Sequence, residues 1–170
     1  MEMIPAPDQA RTDRLDRMVG QYEKDLLRLC CLYLRDWSAA EDVVQETFLK
    51  AFRHLDSFRD ECSEKTWLIR IALNGCRDYR RSAWFRYIDP RVSLSDLPAS
   101  SEPPDSEHAE LTLAIMKLKP KYMEAVLLYF YEGYSMREIG EMLSITEAAV
   151  SDRIRKAKQK LKQELEGGRA

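Results

Sequence analysis

Asn74, Arg77, Arg80 and Arg81 fall close together, and the aromatic residues Tyr79, Trp84, Phe85 and Tyr87 lie among and just after them. Rings set among arginines are what a protein needs to hold unstacked bases beside a phosphate backbone. The Asn74 amide can both donate to and accept from a base edge, but by itself the residue reads first as a polar group on a solvated helix face. A second basic run, Arg153 to Lys162, carries six positive charges (Arg153, Arg155, Lys156, Lys158, Lys160 and Lys162) and no acid. A solvated face usually mixes its signs, so this run points to polyanion binding. Catalysis has no comparable support. The sequence holds no Gly-rich phosphate loop, no H-E-x-x-H and no nucleophile elbow, so no catalytic residue and no cofactor is assigned. Of the four cysteines, Cys30, Cys31, Cys62 and Cys76, none forms a C-x-x-C pair, and only His54 and His108 could assist them. A zinc site is therefore not expected.

The residues from Glu41 to Arg81 read as two amphipathic helices joined by a short polar loop. In the first helix Ser38 can accept from the Glu41 amide, and Glu41 can reach back, as in a capping box. Val44, Phe48, Leu49 and Phe52 recur at helical spacing and are expected to be buried. The second helix begins near Ser63 or Glu64 with the stripe Trp67, Leu68, Ile71 and Ala72. The loop between them, Phe58 to Lys65, is acidic through Asp60, Glu61 and Glu64. Upstream, Met1 to about Arg11 carries Pro5 and Pro7 and reads as a flexible tail. Thr12 can cap a short helix with Leu15, Met18 and Val19. Gly20 is expected to interrupt it before a second stripe of Tyr22, Leu26, Leu29, Cys30, Tyr33 and Leu34. Four helices could then close one small bundle over residues 12–87.

Composition shifts between residues 88 and 106, which hold Pro90, Pro98, Pro103, Pro104 and five serines. This reads as a linker. Its roughly nineteen residues reach at most ~60 Å, on the order of 18 base pairs of duplex. A second module follows over 107–166. Leu111, Ile115, Met116 and Leu118 suggest one helix. Pro120 suits a helix start, and Met123, Val126, Leu127 and Phe130 continue an apolar stripe to Gly133, which fits a left-handed closing position. Ser135 and Glu138 form a second capping box, Ile139, Met142 and Leu143 an inner face, Ser144-Ile145-Thr146 a turn, and Val150 and Ile154 the inner face of a last helix. That is a helix-turn-helix pattern, with Glu147, Ser151, Asp152, Arg155 and Lys156 facing out towards a major groove. A plain helical hairpin would share the pattern without the basic run.

DVVQETFLKAF, LDSFRDE and TWLIRIALNGCRDY together resemble the second conserved region of bacterial sigma factors, in particular the extracytoplasmic-function (ECF) group. Ser135 to Lys158 resembles their fourth region. The resemblance implies an alternative sigma factor that gives RNA polymerase its promoter specificity. It implies that Asp42, Gln45, Glu46 and Leu49 dock on the polymerase clamp, with the flap a further contact. It implies that Phe58, Arg59, Asp60, Glu61, Asn74, Arg77, Asp78 and Arg81 serve the melted, single-stranded minus-ten element. Ser151, Asp152, Arg155, Lys156 and Lys158 would serve the duplex minus-thirty-five element, and the linker would thread the polymerase's RNA exit path. An anti-sigma factor is an implied partner. There are departures: Asp60 and Ser144 stand where the family has glycine, Ala149 where it has threonine, and Ser151-Asp152 where a basic residue and serine are common. An acid in the reading helix cannot favour phosphate but can accept from a cytosine amino group.

Hydrophobic residues make up 45% and charged residues 33% of the 170-residue chain, enough for modest helical cores. The net charge of −2 hides its distribution, because five acids and no Lys or Arg lie between Leu94 and Glu110. No signal peptide, membrane span or direct membrane insertion is expected, and the protein should be cytoplasmic and reduced. The expected fold is all-α: two small helical modules joined by a flexible linker, the second containing a helix-turn-helix. A stand-alone helix-turn-helix regulator is the alternative function, and a helical interaction scaffold a third.

Overall fold

The computed structural model describes residues 7–82 and 106–168. Residues 1–6 of the expected tail, the aromatics Trp84, Phe85 and Tyr87, and the linker apart from Ser106 lie outside them. Among the described residues every regular element is helical, and the chain divides into two compact units, residues 1–100 and 101–170.

The described residues of the first unit form α1 (Pro7–Leu34), α2 (Trp37–Arg53) and α3 (Glu64–Arg81), with a 3-10 turn at Leu55–Ser57. Among these described residues there are three helices where the sequence suggests four. Helix α1 runs unbroken through Gly20 and takes in Pro7 to Arg11, which had read as tail. A helical glycine costs only about 1 kcal/mol. Gly20 faces open space, while Met18, Leu26, Leu29, Cys30, Tyr33 and Leu34 on the same helix are buried. Each large side chain so buried contributes roughly 1.5–3 kcal/mol, so packing outweighs the local penalty. Opposite them lie Ala40, Val44, Phe48 and Ala51 of α2 and Leu68, Ile69, Ala72, Leu73 and Cys76 of α3.

Two local expectations for α2 are corrected. Its cap is Asp36, whose carboxylate accepts from the Ala39 amide at 3.0 Å, so the helix starts earlier than a Ser38 cap allows. Leu49 is half exposed and lies off the core, whose α2 face is completed by Ala39, Val43 and Thr47. Helix α3 is capped by Ser63, which accepts from the Thr66 amide at 3.1 Å. Trp67 and Ile71 are only partly covered.

The second unit contains α4 (Ser106–Met116), α5 (Pro120–Val126) continued by a π turn at Leu127–Tyr131, α6 (Met136–Leu143) and α7 (Glu147–Gly167). Ser106 thus opens α4 rather than closing the linker, and Leu118 follows that helix in a turn. Pro120 occupies the first turn of α5 as expected. The extra residue per turn at Leu127–Tyr131, marked by the Glu132 amide donating to the Leu127 carbonyl at 3.0 Å, rotates Phe130 out of the stripe. Phe130 is 51% exposed, whereas Leu127 and Leu128 are fully buried. Gly133 has φ +74° and closes the segment. Helix α7 forms the inner wall with Val150, Ile154 and Ala157, packed against α5 and α6, and Lys117 forms an ion pair with its Glu164.

Candidate nucleic-acid interface

Two polar strips and one loop occupy the outside of the first unit. On α3, Asn74, Arg77, Asp78 and Arg81 recur at three- and four-residue spacing and share one face. Arg77 donates to the Asn74 side-chain oxygen at 3.1 Å, and Arg81 lies 3.7 Å from Asp78. The four residues therefore form two bonded pairs, one after the other along that face. On α2, Asp42, Gln45, Glu46 and Leu49 are all exposed and form a second strip at the same spacing. The strips approach each other at a groove of about 250 Å³ lined by Asp42, Glu46 and Asp78 together with Gly75. A side chain at Gly75 would begin 3.1 Å from a Val43 methyl, which shows how closely α2 and α3 pack there. Burial, with the charges of Asp36 and Asp42, pushes the Tyr79 hydroxyl above its ordinary value.

The loop between α2 and α3 is more ordered than its acidity suggests. Phe58 stacks on Trp67 with ring centroids 4.4 Å apart and planes 13° from parallel. Asp60 has φ +54°, a left-handed conformation unusual for a residue with a side chain. Arg59, Asp60 and Glu61 are exposed. Cys62 is half-buried, and Cys30, Cys31 and Cys76 are buried.

In the second unit the helix-turn-helix is capped at three points. Ser135 accepts from the Glu138 amide at 3.2 Å while Glu138 accepts from the Ser135 amide at 2.7 Å. Hydrogen bonding from the Ser135 amide first, and then from the Ser135 side chain, holds the Glu138 carboxyl below the ordinary carboxylate range. Thr146 accepts from the Ala149 amide at 3.1 Å and opens α7. Between them Ser144 adopts φ +56°. The feature that sequence reasoning missed is Gly140. A β-carbon there would sit 2.8 Å from the Ile145 carbonyl oxygen, so the turn can fold back on α6 only over a glycine. The one available signal was a glycine six residues before the Thr146 cap.

Past the turn, Val150 and Ile154 are buried while Ser151, Arg155 and Lys156 are exposed and Asp152 is half-buried. Asp152 occupies both cations beside it, Arg155 at 2.6 Å and Lys156 at 2.9 Å. Its carboxyl is held below the ordinary range by Lys156 first and then Arg155. Farther along, Lys158 lies 5.3 Å from the centre of the Phe130 ring and Lys160 5.8 Å from that of Tyr122. These lysines are exposed but rest on aromatic faces, a contact the sequence did not suggest. Among the described residues no cluster of three His, Cys, Asp or Glu side chains could hold a metal ion.

Residues 18–86 match the Sigma-70 region 2 family and residues 108–161 match Sigma-70, region 4. The chain is 30% identical to the ECF RNA polymerase sigma factor SigW of Bacillus subtilis over 90% of its own length and 89% of SigW. The chain belongs to the ECF RNA polymerase sigma factors. It is also 34% identical to the RNA polymerase sigma factor CarQ of Myxococcus xanthus, over 78% of each chain. Among solved structures it is similar to CnrH in complex with the cytosolic domain of CnrY, with 27% identity, a TM-score of 0.68 and 94% of each chain covered. The fold is shared with the sigma factor RpoE of Bartonella quintana, solved with the anti-sigma factor NepR, at a TM-score of 0.69 and 19% identity over 91% of this chain and 98% of that one. This ECF sigma factor is thus an alternative sigma factor, which acts in transcription initiation by giving RNA polymerase its promoter specificity. It works through polymerase and DNA binding. Among its described residues no helix is long and apolar enough to cross a membrane.

Proposed function

We propose that residues 12–87 hold the core-polymerase and minus-ten functions, residues 107–166 the minus-thirty-five function, and residues 88–106 the acidic tether between them. The observation that carries this reading is that each unit buries one apolar face and leaves polar side chains along its outer helix faces. In the first unit Asp42, Gln45, Glu46 and Leu49 contact the polymerase clamp. Asn74, Arg77, Asp78 and Arg81, with the loop residues Phe58, Arg59, Asp60 and Glu61, take the melted non-template strand. Acidic groups suit base edges and disfavour phosphate, so the loop reads a base while arginines hold the backbone. In the second unit Ser151, Asp152, Arg155 and Lys156 face the major groove and Lys158 the phosphates. The flap of the polymerase is the contact of this second unit.

The chain acts without a cofactor and carries out no reaction of its own; binding energy does the work. Its place is the cytoplasm, and an anti-sigma factor is its regulator. The complex of CnrH with a cytosolic domain of CnrY supports the latter, since a similar chain is held there by a second protein.

Two variants test the division of labour. Replacing Asp42 and Glu46 with Lys reverses the charge of the α2 strip and should abolish co-purification with core polymerase while helicity stays intact. Asn74→Ala should cost about 1–3 kcal/mol of discrimination on the minus-ten strand, the worth of one good base contact. Unchanged core binding in the first variant, or equal loss on every strand sequence in the second, would overturn these assignments.

A further inference from the structure

Three arginines at intervals of three, Arg11, Arg14 and Arg17, stand along one side of α1, and each grips the connection between α2 and α3. Arg11 donates to the Phe52 carbonyl at 2.9 Å, lies 3.4 Å from Asp56 and covers the Phe52 ring at 4.9 Å. Arg14 donates twice to Glu64, at 3.1 and 3.0 Å, lies 3.6 Å from Asp60 and covers the Phe58 ring at 5.7 Å. Arg17 donates to both oxygens of Glu64, at 3.2 and 2.9 Å. Glu64 is the first residue of α3, where the helix end itself favours an acid, and its side chain is only 16% exposed.

We propose that this arginine ladder is the positioning device for the base-reading loop, so that the first turns of α1 set minus-ten specificity without touching DNA. The inference rests on the loop role given above. Two physical effects support it. The first is geometric. Phe58 is in contact with both the Trp67 ring and the Arg14 guanidinium, and Asp60, in its left-handed conformation, lies 3.6 Å from the same guanidinium. A loop that must accept one base and refuse others gains selectivity by being held in the receptive shape before the base arrives. The second is electrostatic. Asp56, Asp60, Glu61 and Glu64 would repel a nucleic-acid strand, and the ladder pairs three of these four acids. The loop can then stand beside phosphates while keeping carboxylate oxygens for a base edge. Arginine is needed at position 14 because one planar fork serves Glu64, Asp60 and the ring face together, which an ammonium cannot do.

The test uses the full-length chain bound to core polymerase and a pool of non-template strands randomised across the minus-ten element. Enrichment of each base at each position is read by sequencing for the wild type, Arg14→Gln, Arg14→Lys, Glu64→Gln and the Arg14→Gln/Glu64→Gln double variant. At the position that the wild type reads most strongly, Arg14→Gln should lower enrichment of the preferred base about tenfold. Core-polymerase affinity, set on a different face, should stay within about twofold. Arg14→Lys should recover only part of the selectivity. The double variant should lose less than the two single losses combined, because both singles break the shared Arg14–Glu64 pair. Retained base preference in Arg14→Gln, or a loss that strikes core binding and all strand sequences alike, would reduce the ladder to a fold-stabilising contact. A wild-type holoenzyme that enriches no base would instead overturn the loop reading itself, and the ladder's role with it.

Discussion

Gly140→Ala changes one hydrogen to a methyl group and should loosen the whole helix-turn-helix. The new β-carbon would begin 2.8 Å from the Ile145 carbonyl oxygen, 3.5 Å from the Glu147 amide nitrogen and 3.6 Å from the Thr146 carbonyl carbon, all of them backbone. No rotamer relieves a contact with backbone, so the turn must move. It is also tied to the same residue, since the Ser144 and Ile145 amides both donate to the Gly140 carbonyl. Overpacking of this kind costs about 1–3 kcal/mol. Weakening one of the two bonds adds about 1 kcal/mol, and alanine returns about 1 kcal/mol in helix propensity. The net loss is about 2 kcal/mol, or roughly 30-fold more frequent opening of the α6–α7 turn. Amide hydrogen exchange on the full-length protein reads this directly. Amides of α6 and the first turns of α7 should exchange faster in the variant, those of α1 to α3 should not, and affinity for minus-thirty-five duplex should fall. Slower exchange in α6 would mean that helix propensity dominates and that the close approach at Gly140 does not constrain the turn.

Three further outcomes follow from the charge arrangements. Asp152→Asn releases Arg155 and Lys156 from their carboxylate, so duplex binding should strengthen and the salt slope steepen by up to about 0.9 per cation freed; a weaker or unchanged slope would mean that neither cation, once freed, reaches a phosphate. Arg155→Ala should change preference among upstream sequences, whereas replacing Lys158 and Lys160 should weaken binding evenly and lower the salt slope, as an electrophoretic titration at several salt concentrations would read. Glu64, held below the ordinary carboxylate range by Arg17 first and also by Arg14, contributes stability above its unfolded value of about 4.3 that is lost as pH falls through the lower folded value. Thermal melting of wild type and Glu64→Gln should therefore differ at pH 7 and converge in strong acid.

What was legible in the sequence was local. Ser63, the Ser135–Glu138 box, Thr146, Pro120 and Gly133 each satisfy a backbone need within a few residues, and each stands where its side-chain chemistry suggests. The errors arose where tertiary packing decides. Ser38 has the side chain of a cap, but the helix opens before it on Asp36 and buries Ala39 and Ala40 in its first turn. Gly20 looked like a break because its cost is local while the packing that overrides it comes from α2 and α3. Phe130 fits a 3.6-residue stripe and leaves it only because the π turn shifts the register. The arginine ladder was invisible for a related reason. Its acids lie some forty to fifty residues away in sequence, at Asp56, Asp60 and Glu64, and its first rung, Arg11, lies in the stretch that reads as tail. For the strips themselves, residue type and spacing suggested the surfaces and the family resemblance suggested their roles. The pairing of Asp152 with Arg155 and Lys156 required coordinates.

Run-off transcription with core RNA polymerase on a library of promoter fragments shows whether this chain directs initiation. With the full-length chain added, core enzyme should initiate at a discrete subset of templates sharing one upstream and one minus-ten sequence, and core alone should not. If the chain bound duplex DNA equally well with and without core and supported no initiation on any template, the account would be contradicted, and a stand-alone helix-turn-helix regulator would take its place.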